Sequence, residues 1–342
     1  MGPRMTATAS SPYAIGHFER LPTHVVDTLD TPPDLFIDAS TTDWKHLTWK
    51  DVRRPHRVER WAEEKQAWEA ANGRTLPVQV GWEHFNRSFH ELFITDVSAE
   101  TKHIRGEALS HLAKADVAGA WECLTELVQL RVWNKVHHVE DAVWDPRGKR
   151  ALFGGLDLKR PRVLYLGAAD GYEGMQICAL YPGAEMVLVD YDDFCRTDRF
   201  GKFPEAYPFV GADPATGGLR TWYREEMNIH FEVADIRNLK YGPEFDLVVS
   251  VGLVEHFPDE HKAEAFAWHR KFLKPGGTCI ITTPRDQWRG RAFYTVMADI
   301  MNFGYRELMT VEQLGLYAWE NGFEIQRAGV IKAHNGLICR PR

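Results

Sequence analysis

Residues 160–193 read RPRVLYLGAADGYEGMQICALYPGAEMVLVDYDD, and this stretch decides the fold. Arg162–Leu166 is an apolar run of strand character, and Gly167 and Gly171 bracket a turn too tight for side chains. Tyr172–Tyr181 has helical character, and Val187–Val189 lead into Asp190, where a second buried strand should stop. Strand, glycine turn, helix and acid-ended strand together hold a nucleoside. The glycines let backbone approach the ligand, and the carboxylate accepts hydrogen bonds from ribose hydroxyls.

The turn chemistry narrows the nucleoside. A dinucleotide site wants G-x-G-x-x-G facing a pyrophosphate. Here Ala169 stands in place of the middle glycine, and Asp170 and Glu173 bring negative charge to the turn. Acid there repels a pyrophosphate and suits a cationic ligand. S-adenosylmethionine, with a sulfonium, an ammonium and a ribose, fits better than NAD.

Working outward, HFEVADIRNL (230–239) reads as a strand ending at Asp235, an acceptor for an adenine amino group. FDLVVSVGLVEHFPD (245–259) is a fourth buried strand running into a loop with Glu255 and His256. FLKPGG (272–277) ends a helix-like stretch, and TCIITTP (278–284) is a fifth strand. TVEQLGLYAWENGFEIQRAGV (310–330) gives a helix, a glycine stop and a strand, and HNGLICRP (334–341) one more. Alternating strand and helix predict an α/β fold with a parallel doubly wound sheet. The helix-free return from Phe323 to Cys339 predicts an antiparallel hairpin at one edge.

From Arg160 to Arg342 the chain resembles the class I S-adenosylmethionine-dependent methyltransferases. The resemblance rests on LGAADG, Asp190, Asp235 before Ile236, VVSVGLVEHFPD, and FLKPGG before a strand, all in order. It implies a seven-stranded Rossmann-like sheet of order 3-2-1-4-5-7-6 with strand seven antiparallel. It also implies S-adenosyl-L-methionine across the carboxyl ends of strands one and two. The cofactor-binding candidates are then Gly167, Ala168, Ala169, Gly171, Asp190, Tyr191, Asp235, Ile236, Ser250, Val251 and Gly252. Two positions depart from the family's pattern: Tyr165 stands where it often has an acid, and Ala169 where it often has glycine.

Composition bounds the partners. Net charge is −7, with 44% hydrophobic and 26% charged residues, ordinary for a globular protein. No Lys/Arg run stands out. DNA or bulk RNA is disfavoured, because counterion release would be forfeited. The five cysteines (Cys123, Cys178, Cys195, Cys279, Cys339) are scattered and read as small apolar residues in a reducing compartment. With no apolar run of spanning length and no signal core, the expectation is a cytoplasmic protein with no membrane partner.

The N-terminal half divides into an extended, proline-rich arm over 1–55 and a mainly α-helical substrate-capping and dimerisation domain over 56–155. The S-adenosylmethionine-binding domain follows over 156–342. ERWAEEKQAWEAANG (59–73) places Trp61 and Trp68 on one helical face, and 99–115 reads as a clearer helix. In 116–139, Val117, Trp121, Leu124, Val128 and Val132 make an apolar stripe. Eight of the twelve tryptophans precede Gly154, and such aromatics are more often core than pocket. A homodimer is expected from the family layout. The long connection Asp192–Asn228 is expected to fold over the cofactor or a neighbouring subunit.

His256 is the candidate base, since its ordinary pKa suits proton removal near neutrality. Glu255 is the second catalytic candidate, as a residue binding the nucleophile. Arg285, Trp288, Arg289 and Tyr294, with Arg291 and Phe293 beside them, present cations and aromatic faces after strand five and are the substrate-binding candidates. No metal is expected: His137 and His138 are adjacent, followed by Glu140 and Asp141, and read as a solvated helix end. The leading function is methyl transfer to an O, S or N nucleophile of a small molecule, mainly by proximity and orientation. The layout also looks like the S-methyltransferases acting on methylthio-hydroxybutyrate in dimethylsulfoniopropionate synthesis. A protein or tRNA methyltransferase and a non-catalytic nucleoside-binding protein are the alternatives from other classes.

Overall fold

The computed structural model describes residues 42–58, 66–67, 69–71, 73, 97–127, 152–203, 205, 209–296, 305–331 and 334–342. The seven sheet strands are β2 (Arg162–Leu166), β3 (Glu185–Asp190), β6 (Asn228–Val233), β7 (Phe245–Val251), β8 (Leu273–Pro284), β10 (Phe323–Ile331) and β11 (His334–Pro341). Their spatial order is β10-β11-β8-β7-β2-β3-β6. Read from the other edge, this is the 3-2-1-4-5-7-6 order, and β11 is antiparallel to both β8 and β10. The expected closing hairpin is present as β10–β11.

Central strands rich in Val, Leu and Ile bury both faces, as parallel sheets require. Alternation sends Leu164 and Leu166 into one cluster and Val163 and Tyr165 into the other. The first cluster is covered by α4 (Asp259–Phe272) and α6 (Val311–Glu320), the second by α3 (Tyr172–Leu180). Helix α6 starts with a reciprocal cap: Thr310 Oγ1 accepts from Gln313 N at 3.3 Å, and Gln313 Oε1 accepts from Thr310 N at 2.8 Å. Helix α4 has Asp259 and Glu260 in its first turn and His269, Arg270 and Lys271 in its last, matching the helix dipole.

One element differs from the sequence reading, and a second, left without internal structure by it, takes a definite form. Strand β8 begins at Leu273, five residues before the expected Thr278 start. Leu273 pairs with Phe245 and Thr278 with Leu247, so the intervening KPGG bulges out of register. The connection 192–228 holds a π-helical turn (Cys195–Phe200) and a hairpin of β4 (Phe209–Ala212) and β5 (Leu219–Trp222). The hairpin packs on α3, so tightly that a methyl at Gly211 would come within 1.8 Å of the Ala179 carbonyl oxygen.

Residues 42–58 pack on elements of the C-terminal half. Helix α1 (Trp49–Val52) lies on α6, where Trp49 Nε1 donates to Glu320 at 2.9 Å and Gln313 Nε2 donates to the Val52 carbonyl at 3.1 Å. Strand β1 (His56–Arg57) pairs antiparallel with β9 (Glu307–Leu308). These two residues, which the sequence reading put at the start of the helical domain, thus join the C-terminal half through backbone. Trp44 is buried against Gly315, where a methyl would meet its ring at 2.2 Å. Trp44→Ala should destabilise the chain by about 3 kcal/mol, read as a lower midpoint in urea unfolding.

Of the N-terminal helices, α2 (Val97–Ala113) and a helix through 117–127 are described. Ile104 and Cys123 pack together there. Val117, Trp121 and Leu124 of the expected stripe are exposed instead of buried, while Val128, Val132, Trp61, Trp68, His137, His138, Glu140 and Asp141 lie outside the described residues. The five cysteines are buried and free. Among the described residues no helix is long and apolar enough to cross a membrane, and no group of three or more His, Cys, Asp or Glu could hold a metal ion.

Candidate functional site

The carboxyl edge of β2 and β3 builds the first half of the site. Gly167 and Gly171 hold left-handed backbone at φ 68° and 76°. A methyl at Gly171 would also come within 2.6 Å of Leu188 Cδ1. Ala169, at φ 52°, occupies the same region without being glycine. An L-residue there carries strain of about 1 kcal/mol. Ala169→Gly should therefore raise unfolding free energy by about 0.5 kcal/mol after glycine's own entropy cost, measurable by urea titration.

Asp190 ends β3 buried, with Oδ2 accepting from Ala169 N at 3.0 Å and Oδ1 from Asp192 N at 3.3 Å. Burial holds its carboxyl above the usual range against the lowering effect of these hydrogen bonds. Tyr191 beside it is 67% exposed, a ring face open for stacking. Asp170 and Glu173, read as charges lining the turn, are instead buried and engaged: Arg199 reaches Asp170 Oδ2 at 3.5 Å, and Tyr165 donates to Glu173 at 2.9 Å. Tyr165, which stands where the family often has an acid, thus rests its hydroxyl on a buried carboxylate eight residues along the chain, in the first turn of α3. Asp235 caps the short helical turn Ile236–Asn238 and is held by Arg237, with Nε at 3.0 Å from Oδ1. That hydrogen-bonded cation keeps its carboxyl below the usual range.

The second half is the loop after β7. Gly252 N donates to the Thr282 carbonyl at 3.0 Å, and Leu253 Cδ1 would lie 3.2 Å from a methyl on Gly167, so this loop touches the glycine turn. Val251 and Ile236 are half-buried. Ser250 is fully buried, its hydroxyl 2.8 Å from Nε2 of His269 on α4. Its side chain is committed to the core, leaving only its backbone toward a ligand.

Glu255 is 0% exposed, and neither carboxylate oxygen has a hydrogen-bond partner. Burial pushes its carboxyl up to about 7, against the lowering charge of Arg306. Its Oε1 lies 3.8 Å from His256 Nε2. His256 Nδ1 lies 2.9 Å from the Tyr305 carbonyl oxygen, which can only accept, so Nδ1 carries the proton. Nε2 then accepts from Arg306 Nη2 at 3.2 Å. Burial first, then the Arg306 charge, push this imidazole down to about 3.

Lys262, buried on α4, fixes the loop by donating to the Val254 carbonyl at 2.9 Å and to the Phe257 carbonyl, and it pairs with Glu307 of β9 at 2.9 Å. Arg306 itself donates from Nη1 to Tyr294 Oη at 3.0 Å. Strand β1 backs this segment, since Val58 N donates to the Arg306 carbonyl at 3.0 Å.

The expected substrate residues separate. Tyr294 on α5 (Trp288–Val296) is buried and joins the cluster through Arg306. Trp288 is 74% exposed, with the Arg289 guanidinium 5.3 Å from its ring centroid. Arg285 bridges Met309 through backbone, and Arg291 is paired with Asp286 at 2.6 Å. The Phe293 side chain lies outside the described residues. Sequence reasoning missed Arg306, Lys262 and Glu307. The available signal was YREL (305–308), two opposite charges inside a short strand-like run.

Residues 136–328, more than half of the chain, match the family described as "Methyltransferase domain". The chain belongs to this methyltransferase family. The observed strand order is that of its class I, S-adenosylmethionine-dependent members, as the motifs implied.

Solved structures similar to this methyltransferase include the PH0226 protein from Pyrococcus horikoshii OT3, at 18% identity and TM-score 0.39, covering 54% of this chain and 83% of that one. Burkholderia thailandensis 1,6-didemethyltoxoflavin-N1-methyltransferase is 13% identical at TM-score 0.37, covering 54% and 72%. Human N-acetylserotonin methyltransferase, solved with SAM, is 15% identical at TM-score 0.43, covering 69% and 66%. No curated protein matches the sequence.

Proposed function

We propose that this methyltransferase acts on a small molecule, with the acceptor held at the loop after β7. The observation that carries this reading is the buried, unpartnered carboxylate of Glu255 beside the loop that touches the glycine turn. A charged group withdrawn from solvent is reached by a small acceptor far more readily than by a folded macromolecule. The chain's net charge of −7 agrees, since nucleic-acid binding draws on phosphate neutralisation.

The donor half fits S-adenosylmethionine on its donor set. Backbone at Gly167, Ala168, Ala169 and Gly171 allows close approach, Asp190 offers a carboxylate to a ribose diol, and Tyr191 an open ring to adenine. Asp235 would serve the adenine amino group by releasing Arg237. When bound, S-adenosylmethionine supplies a methyl group already activated on a sulfonium sulfur and leaves as S-adenosylhomocysteine.

The chain's own work is to orient the acceptor, exclude water and accept a proton. The proton of a hydroxyl, thiol or amine passes to the carboxylate of Glu255 as the nucleophile's new bond to carbon forms. A carboxyl titrating near 7 is matched to that task, whereas an imidazole held near 3 is a weak base. We therefore assign proton acceptance to Glu255 and make His256 the positioning residue between Glu255 and Arg306.

The test is methyl-labelled S-adenosylmethionine with purified protein and a host extract split by size. Label in the small-molecule fraction supports the reading. Label confined to protein or tRNA overturns the small-molecule assignment.

A further inference from the structure

Arg306 and Glu255 are buried, oppositely charged and close to one another, yet they do not pair. Arg306 is 9% exposed and Glu255 0%. Nη1 of Arg306 donates to Tyr294 and Nη2 to His256, while Nε is buried without a partner. Both carboxylate oxygens of Glu255 are likewise orphaned. His256 Nε2 stands between them, 3.2 Å from Arg306 Nη2 and 3.8 Å from Glu255 Oε1.

This is an unusual state for two buried ions. Desolvation is repaid only when the charges meet each other or another partner, and orphaned buried polar groups call for an occupant. A collapsed ion pair would have been the simplest way to satisfy both. The surrounding elements prevent it. Tyr294 from α5 and the β1–β9 pairing hold Arg306 on one side, and Lys262 from α4 fixes the Glu255 loop on the other. Lys262 is itself paired with Glu307, so it does not neutralise Glu255 by direct contact.

We propose that Arg306 and Glu255 are the two ends of an acceptor cradle that selects small carboxylic acids bearing a hydroxyl, thiol or amine. This rests on the acceptor sitting at the loop after β7. The Nε–H of Arg306 donates to the substrate carboxylate, a charge-assisted bond that fixes its position. Glu255 accepts from the nucleophile's hydrogen at the other end. His256 separates the two ends, so neither ion can satisfy the other when the cradle is empty. Tyr294 is the positioning residue for the guanidinium.

The experiment is titration of the full chain, saturated with S-adenosylhomocysteine at pH 8, with lactate and with its uncharged twin lactamide. Binding is read by calorimetry and saturation-transfer NMR. The expected result is that lactate binds at least tenfold more tightly than lactamide. Arg306→Gln removes that preference, and Arg306→Lys, which keeps the buried charge, restores part of it. S-adenosylhomocysteine affinity stays within twofold throughout, which shows that the variants are folded. Equal binding of lactate and lactamide, no lactate binding to the wild type, or undiminished lactate binding in Arg306→Gln each overturns the cradle. Lactate binding without small-molecule label transfer would instead defeat the proposed function and leave the carboxylate site standing.

Discussion

Replacing Glu255 by Gln should lower methyl transfer about 100-fold, the usual scale for losing a proton-accepting group, while making the protein more stable at alkaline pH. The sign follows from linkage. The folded-state pKa, about 7, lies above the ordinary 4.5. The protonated carboxyl therefore contributes its full stability below about pH 4.5, and that contribution is lost as pH rises through about 7. Keeping the carboxylate ionised in its buried position at pH 8 costs the fold about 3 kcal/mol. The amide also leaves polar atoms buried, so a net gain of about 2 kcal/mol is expected for the variant at pH 8, shrinking toward zero at pH 4.5. Urea unfolding at both pH values measures it. A residue whose removal stabilises the fold and disables the reaction is one kept for function. If Glu255→Gln destabilises equally at both pH values and leaves transfer intact, the acid is a packing element.

Asp190→Ala should weaken binding of S-adenosylhomocysteine about 100-fold. Hydrogen bonds to a charged acceptor contribute about 1.5–3 kcal/mol each, and a ribose diol offers two donors to one carboxylate. The same carboxylate accepts from Ala169 N at 3.0 Å, so it also supports the strained turn. Asp190→Asn separates the roles: it keeps an acceptor for Ala169 N and loses the charge. An intermediate loss of about tenfold, with unfolding near that of the wild type, assigns the effect to the ligand. Calorimetry on the three proteins decides it. Unchanged affinity in Asp190→Ala would remove the ribose assignment.

The sheet was legible in sequence because its signals are local. Arg162–Leu166 is an apolar run between a proline and a glycine, and the strand ends at the residues read from the pattern. Asp190 stands at the strand end read from the pattern for the same reason. Most of the proposed donor half therefore lies in one continuous stretch, with Asp235 outside it. The acceptor half does not. Arg306, Lys262 and Glu255 come from three separate elements, and only folding brings them to one loop. Ser250, a cofactor-binding candidate through the resemblance, has its hydroxyl turned inward to His269.

His256 shows the limit of reading residue type without its neighbours. Its ordinary pKa suggested a base, yet the Tyr305 carbonyl fixes its tautomer, and burial, then the Arg306 charge, depress its proton affinity. The arm illustrates a different gap. Few periodic apolar positions marked 42–58 as structured, but Trp44 fills the space left by the missing side chain of Gly315, and His56–Arg57 extend a strand of only two residues. Such complementarity between distant positions has no local signature.

The most direct test of two adjoining half-sites is a crystal structure with S-adenosylhomocysteine. The account predicts ribose hydroxyls on Asp190, adenine against Tyr191, and the sulfur directed across the Leu253 loop toward Glu255 and Arg306. A ligand bound with its sulfur turned away from Glu255, or without contact to Asp190, would contradict it.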